Sequence, residues 1–121
     1  NMFGLLKKKI ECVGCGQKLD SPKTKNPEKI IVRGKSINLH GEGKCPKCKT
    51  EIVLIDEKGK FESRIKLRFD AWIEFSKKEQ DYNEGKISEE EYKKDEEKLD
   101  KVEDKVLNLE EKLMNKYKYD D

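Results

Sequence analysis

Short apolar runs dominate the first half of the chain, and turn residues separate them. The runs are residues 30–32, Ile37 with Leu39, and residues 52–55. Runs of this length between Gly-containing turns predict short strands, with Arg33-Gly34-Lys35 joining the first two. Lys58-Gly59 is expected to turn the chain toward Phe61. The first half is therefore predicted to hold a small antiparallel sheet.

The spacing of apolar residues becomes helical near residue 63. Four of them share one face of a helix predicted over residues 63–83: Ile65, Phe69, Trp72 and Ile73. Phe75 lies off that face. We expect these aromatic residues to belong to the core rather than to a ligand site.

The second half also contains the signals for a turn between two helices. Gly85 is placed to end the first helix in a left-handed conformation. Ser88 and Glu91 form a capping box that starts a second helix, predicted over residues 88–117. The segment Gly85-Lys86-Ile87-Ser88-Glu89-Glu90-Glu91-Tyr92, within residues 82–99, resembles the short C-terminal domain found in many bacterial proteins. That resemblance implies a turn that joins two helices.

The second helix carries a heptad pattern. Five apolar residues occupy alternating a and d positions and are the predicted oligomerisation residues: Leu99, Val102, Val106, Leu109 and Leu113. Lysines at g positions and Glu103 and Glu110 at e positions favour a parallel homodimer. The alternative is an amphipathic helix that folds back on the first helix of its own chain.

Composition limits the core that the chain can build. Of its 121 residues, 45% are charged and 33% are hydrophobic, and so thin a core usually needs a metal, a disulfide or a partner. Residues 1–62 carry a net charge of +6 and residues 63–121 one of −4, which indicates two different partners or roles. No apolar run approaches the roughly 18 residues of a membrane span, and no signal peptide is recognised. We therefore expect a cytoplasmic protein that does not enter a membrane.

The strongest chemical signal is a set of four cysteines arranged in two pairs: Cys12, Cys15, Cys45 and Cys48. Two residues separate the members of each pair, so a tight turn can place both sulfur atoms on one metal ion. Two such turns complete a closed tetrahedral site of four thiolates, which is the geometry of structural zinc. We expect one structural Zn²⁺ per chain.

Other uses of the cysteines remain as alternatives. They are a rubredoxin-like iron site, a thioredoxin-like redox pair and two disulfides. Aromatic residues are few in this half, no alternating strand and helix pattern surrounds the cysteines, and no signal indicates an oxidising compartment. His40, the only histidine, is expected to be a surface or turn residue because four cysteines already fill the site.

Two cysteine turns joined by short antiparallel strands resemble the zinc-ribbon family over residues 9–62. Members of that family serve polymerase subunits, transcription factors, ribosomal proteins and adaptors, so the resemblance implies a metal site more than a function. Ile10-Glu11-Cys12-Val13-Gly14-Cys15-Gly16-Gln17-Lys18-Leu19 and Lys44-Cys45-Pro46-Lys47-Cys48-Lys49 are also similar to the Mu-like prophage Com family. Those small zinc proteins are RNA-binding translational regulators, which implies RNA binding here.

Basic residues accompany both cysteine pairs and are the predicted nucleic-acid contacts: Lys7, Lys8, Lys9, Lys18, Arg33, Lys35, Lys44, Lys47 and Lys49. Lysine acts as a point charge, so contacts to a DNA or RNA backbone would weaken as salt is added. The alternative is that these lysines balance the negative charge of the zinc-thiolate centre or act as ordinary solubilising residues.

The sequence as a whole predicts a small α+β protein in two parts. Residues 1–62 form a four-cysteine zinc ribbon, and residues 63–121 form a helical hairpin or coiled coil. No catalytic constellation is recognised, so we expect no enzyme. The favoured function is a regulatory module that contacts nucleic acid, or the transcription or translation machinery, through the basic ribbon. The alternative is a protein-interaction adaptor whose helices bind a partner and whose ribbon is structural.

Overall fold

Antiparallel strands come first and helices second in the computed structural model, which describes residues 9–20 and 26–117. The elements are β1 (Lys9–Glu11), β2 (Lys18–Asp20), β3 (Glu28–Val32), β4 (Lys35–Lys44), β5 (Glu51–Glu57), β6 (Lys60–Ile65), α1 (Lys66–Asn83) and α2 (Glu89–Lys116). β1 pairs with β2, and β3 to β6 form a four-stranded antiparallel sheet in chain order. The protein is a small α+β fold, as the apolar pattern predicts.

Two-residue turns set the register of the larger sheet. Arg33 and Gly34, with φ of 53° and 80°, link β3 to β4. Lys58 and Gly59, with φ of 53° and 84°, link β5 to β6. Positive φ at both central positions gives the turn a twist that matches the flanking strands. Both turns lie where the sequence predicts them.

The two faces of this sheet pack against different parts of the chain. Val53 and Ile55 of β5 pack with Phe69 of α1 in one buried cluster. Their neighbours Ile52 and Leu54 point to the opposite face, as alternation along a strand requires, and pack against the four cysteines. The sheet therefore lies between α1 and the cysteine cluster.

α1 begins at Lys66 rather than near residue 63. Ser63 and Ile65 continue β6, because they pair with Leu54 and Ile52 of β5. The side chain of Ser63 also contacts the first cysteine turn, which holds this segment in the strand. The predicted division at residues 62 and 63 lies inside β6, and the division into two parts stays a prediction.

The connection between the helices follows the sequence signals. Gly85 has φ of 75°, and Lys86 N–H donates to the Asp81 carbonyl oxygen at 2.7 Å, which closes α1 in a Schellman-type cap. Ser88 Oγ accepts a hydrogen bond from Glu91 N–H at 3.1 Å and caps α2. The predicted glycine stop and serine cap are both confirmed.

Phe75 is buried although it lies off the predicted apolar face of α1. Tyr92 of α2 packs beside it, with 5.5 Å between the ring centroids, and Trp72 meets it edge to face at 5.8 Å. The second helix thus supplies a contact that the periodicity of α1 alone does not reveal.

The heptad residues of α2 are largely covered within the single chain. Three are buried and two are half-buried, namely Leu99, Val106 and Leu113, and Val102 and Leu109. Arg68 of α1 binds Glu103 at 2.9 Å and Glu110 at 3.3 Å, the two e-position carboxylates. These contacts occupy groups that a parallel homodimer would use, and the dimer stays a prediction.

Candidate metal centre

Two similar turns bring the four cysteines together. In the first turn, Gly16 N–H donates to the Cys12 carbonyl oxygen at 2.8 Å, and in the second, Lys49 N–H donates to the Cys45 carbonyl oxygen at 2.9 Å. Gly16 and Lys49 both adopt left-handed backbone conformations, with φ of 80° and 63°. The turns follow β1 and β4, so two different strand ends present their cysteines in the same way.

The sulfur atoms of the cluster are spaced as one metal ion requires. All four Sγ atoms lie within 4.8 Å of one another. Cys12 and Cys48 are 3.8 Å apart, Cys15 and Cys45 are 3.6 Å apart, and none of the four forms a disulfide. A tetrahedral metal with bonds to sulfur of about 2.3 Å separates its ligands by about 3.8 Å. The cluster is therefore compatible with one structural metal ion, and the same spacing suits iron as well as zinc.

Burial and backbone hydrogen bonds act in opposite directions on these thiols. Burial raises the pKa of Cys12 and Cys15, because desolvation disfavours the thiolate. At Cys45 burial acts in the same direction, but hydrogen bonds from the backbone N–H groups of Cys48 and Lys47 and from the side chains of Cys15 and Cys12 together outweigh it and lower the pKa. A bound cation would supply the remaining stabilisation that lets all four sulfurs be thiolates.

Ser63 fastens the first cysteine turn to β6. Its Oγ accepts a hydrogen bond from Val13 N–H at 2.8 Å and donates one to the Glu11 carbonyl oxygen at 2.8 Å. The residue is only 4% exposed, so water does not replace these bonds readily. Nothing local in the sequence marks this serine, because its partners lie about 50 residues away.

The end of α2 covers the cysteine cluster. Tyr117 packs against the cluster, and its hydroxyl donates to the Lys47 carbonyl oxygen at 3.3 Å. Leu113 lies over the first turn, where a Cβ added to Gly14 would meet its Cδ1 at 2.9 Å. The helical half of the chain therefore forms part of the wall of the metal centre.

His40 lies in β4 with its side chain only 7% exposed, so the expectation of a surface or turn residue is wrong. Its Nε2 lies 2.6 Å from Oδ2 of Asp56, on the neighbouring strand. Asn38 Nδ2 and Gly59 N–H also donate to that carboxylate. Pairing with a buried carboxylate makes burial of the imidazole tolerable. His40 is not among the clustered ligands.

The predicted nucleic-acid contacts lie at two separate ends of the sheet. Lys44, Lys47 and Lys49 are exposed around the second cysteine pair. Arg33 and Lys35 lie at the far end of β4, whose ten residues span about 30 Å when extended. The structure therefore does not gather these residues into one contiguous patch.

The remaining predicted contacts add little to either end. Lys18 forms an ion pair with Glu11 at 2.6 Å on β1 and β2. Lys7 and Lys8 lie outside the described residues, as does the side chain of Lys9. Their role in binding stays a prediction.

No family model matches the chain, and no curated protein or solved structure matches it. The likenesses to Com regulators and to the short C-terminal domain gain no support from these comparisons. The four clustered cysteines do fit a zinc-ribbon-like motif. Within residues 9–20 and 26–117, neither helix has both the length and the apolar character of a membrane span.

Proposed function

We propose that this protein is a zinc-stabilised, non-enzymatic binding module that contacts nucleic-acid phosphates through the lysines beside its second cysteine pair. Four thiolates form a closed ligand set without an open coordination position, which favours a structural Zn²⁺. Three of the four cysteines are buried, which suits a metal that stabilises the fold. We also infer that α1 and α2 act as a helical hairpin that supports this centre.

The observation that carries the nucleic-acid proposal is the set of exposed lysines Lys44, Lys47 and Lys49. Within the part of the chain that the structure describes, none of the three forms an ion pair with a carboxylate. Lys18 and Lys66, by contrast, are paired with acidic side chains. A zinc ion bound by four thiolates carries a formal charge of −2, which offsets part of this positive charge.

The direct test is fluorescence anisotropy with labelled single-stranded RNA and duplex DNA. The variant Lys44→Glu/Lys47→Glu/Lys49→Glu should lose about tenfold or more in affinity, and wild-type binding should weaken as salt is raised. The matched control is Lys94→Glu/Lys101→Glu/Lys105→Glu, which makes the same charge change at exposed positions of α2. Equal affinities for the two triple variants would overturn the proposal.

A second candidate function is a protein-interaction adaptor, and one observation favours it. Leu107 and Met114 lie two helical turns apart on α2 and are 56% and 60% exposed. A partner or a second copy of this chain would cover them. Solution mass tests the second copy: a dimer should have twice the 14.2 kDa of one chain and should dissociate in Leu107→Glu/Met114→Glu. A monomeric mass at all concentrations would remove the second copy as the occupant.

A further inference from the structure

All three arginines of the chain line one cleft. Arg33, Arg64 and Arg68 lie with Lys35 around a cleft of about 470 Å³ between α1 and the sheet. The apolar lining includes Val32, Ile37, Ile55, Phe69 and Trp72, and one carboxylate, that of Glu57, also lies in the lining. An apolar floor with a few placed polar groups is typical of a binding site. The other 25 basic residues of the chain are lysines, so its arginines are concentrated at this cleft.

Arg33 is held in place at the β3–β4 turn. Its guanidinium lies 4.4 Å above the centre of the Trp72 ring, and its backbone N–H donates to Ser76 Oγ at 3.2 Å. Within the described residues, neither Arg33 nor Lys35 forms an ion pair with a carboxylate. Glu57 also lines the cleft, so Arg33 and Lys35 leave a net charge of about +1 among these three residues.

The other two arginines already bind carboxylates of the same chain. Arg64 contacts both oxygens of Glu62, at 2.9 and 3.1 Å. Arg68 binds Glu103 and Glu110 of α2. These ion pairs neutralise most of the positive charge of Arg64 and Arg68. They hold the two guanidinium groups in fixed positions along the wall of the cleft. They also show that the planar fork of arginine recognises carboxylates here.

The cationic groups are spread along the cleft rather than directed at one point. In the register of the sheet, Arg64 of β6 lies opposite Val53 of β5, and Val53 lies opposite Glu42 of β4. Arg64 is therefore level with Glu42 along the sheet. Glu42 lies seven positions from Lys35 on that strand, a distance of about 20 Å in extended chain. Charges at this separation suit an extended ligand better than a compact anion.

We propose that this cleft binds an extended acidic segment of a protein partner. An apolar side chain of that segment would pack on Ile37 and Trp72, and flanking carboxylates would bind Arg33 and Lys35. A nucleic-acid strand fits less well. Arg33 covers one face of the Trp72 ring and Trp72 Nε1 donates to Glu103 at 2.8 Å, so the indole is no open platform for stacking bases. The cleft is separate from the lysines of the second cysteine pair, so either proposal can fail alone.

Trp72 provides a specific probe because it is the only tryptophan in the chain. A capped heptapeptide with a central phenylalanine and six flanking aspartate and glutamate residues is titrated into the metal-loaded full chain. We expect a saturable change in Trp72 fluorescence, and its loss when serine replaces the phenylalanine of the peptide. No saturable change at roughly 1 mM peptide would overturn the proposal, as would equal binding of the serine peptide.

Variants of the cleft identify the residues responsible. Arg33→Lys keeps the charge but loses the planar fork, and Lys35→Glu reverses an exposed charge. Each should weaken peptide binding about tenfold, while Lys101→Glu on α2 should change it less than about twofold. Circular dichroism confirms that each variant is folded. Unchanged affinity in both cleft variants, or displacement of the peptide by single-stranded oligouridine, would overturn the assignment.

Discussion

The Tyr117 hydroxyl donates a hydrogen bond to the Lys47 carbonyl oxygen at 3.3 Å, across 70 positions of sequence. It joins the end of α2 to the second cysteine turn, and the Tyr117 ring packs against the cysteine cluster. We therefore expect metal binding at the cluster to be coupled to the position of the last turn of α2. A change that opens the cluster should also release this end of the helix.

Gly14→Ala tests the contact between α2 and the first cysteine turn. The new Cβ would lie 2.9 Å from Leu113 Cδ1 and 3.4 Å from Cys48 Sγ, so the side chains must move apart. We expect a loss of about 1–3 kcal/mol in the free energy of unfolding, measured by urea denaturation. Gly43→Ala is the control, because nothing lies within 4 Å of its Cβ position. Combining Gly14→Ala with Leu113→Ala should cost less than the sum of the two changes, and strict additivity would contradict the contact.

Ser63→Ala tests the hydrogen bonds that fasten the first cysteine turn. Ser63 is buried, and the change removes both the acceptor of Val13 N–H and the donor to the Glu11 carbonyl oxygen, which should cost about 1–3 kcal/mol. Metal affinity should fall as well, because the turn that carries two of the ligands is less constrained. A chelator competition assay measures that affinity. Ser36→Ala, at an exposed position of β4, serves as the control, and equal effects of the two changes would argue against the role of Ser63.

Asp56 should make stability depend on pH in the acid range. The hydrogen bond from His40 holds the pKa of Asp56 below its ordinary value of 3.8, against the opposing effect of burial. The unfolded chain therefore takes up this proton first as the pH falls. The stabilisation is complete well above pH 3.8 and is lost as the pH falls through the lower folded-state pKa.

The variant Asp56→Asn should therefore be less stable than the wild type near neutral pH, with a difference that shrinks as the pH falls below about 4. Trp72 fluorescence in urea at a series of pH values measures both curves. Acid also displaces a bound metal, which lowers the free energy of unfolding of both proteins. This effect largely cancels when the free energy of the variant is subtracted from that of the wild type. A difference that stays constant over this range would contradict the contribution of Asp56.

Removal of the metal should loosen the end of α2 before its middle. Leu113 and Tyr117 contact the cysteine turns. Val106, by contrast, is completely buried within the single chain and lies between Glu103 and Glu110, which form ion pairs with Arg68 of α1. Hydrogen exchange with and without a chelator should therefore show the larger loss of protection over residues 111–117 than over residues 99–106. Equal loss along the whole helix would show that α2 does not depend on the cluster in this graded way.

Local chemistry accounts for the parts of the fold that the sequence predicts. Arg33-Gly34 and Lys58-Gly59 form hairpin turns, and Gly85 ends α1, because each requires only a left-handed conformation at a residue visible in the sequence. The cysteine cluster follows in the same way from the spacing within each pair.

Long-range contacts account for what the sequence does not predict. Ser63, Phe75 and His40 owe their burial to partners on other elements, and those partners carry no local signal. Leu113 is part of a regular heptad, yet it packs on Gly14 of the first cysteine turn. A heptad indicates which face of a helix is buried, but it does not identify the surface that buries it.

Elemental analysis of the protein, purified under reducing conditions without added metal, is the most direct test for a structural zinc ion on the four cysteines. We expect one zinc ion per chain, with loss of the metal and of the native circular dichroism spectrum in Cys45→Ser. Iron in place of zinc would contradict the assignment of the metal. A metal-free protein, with Cys45→Ser folded like the wild type, would contradict the metal centre itself.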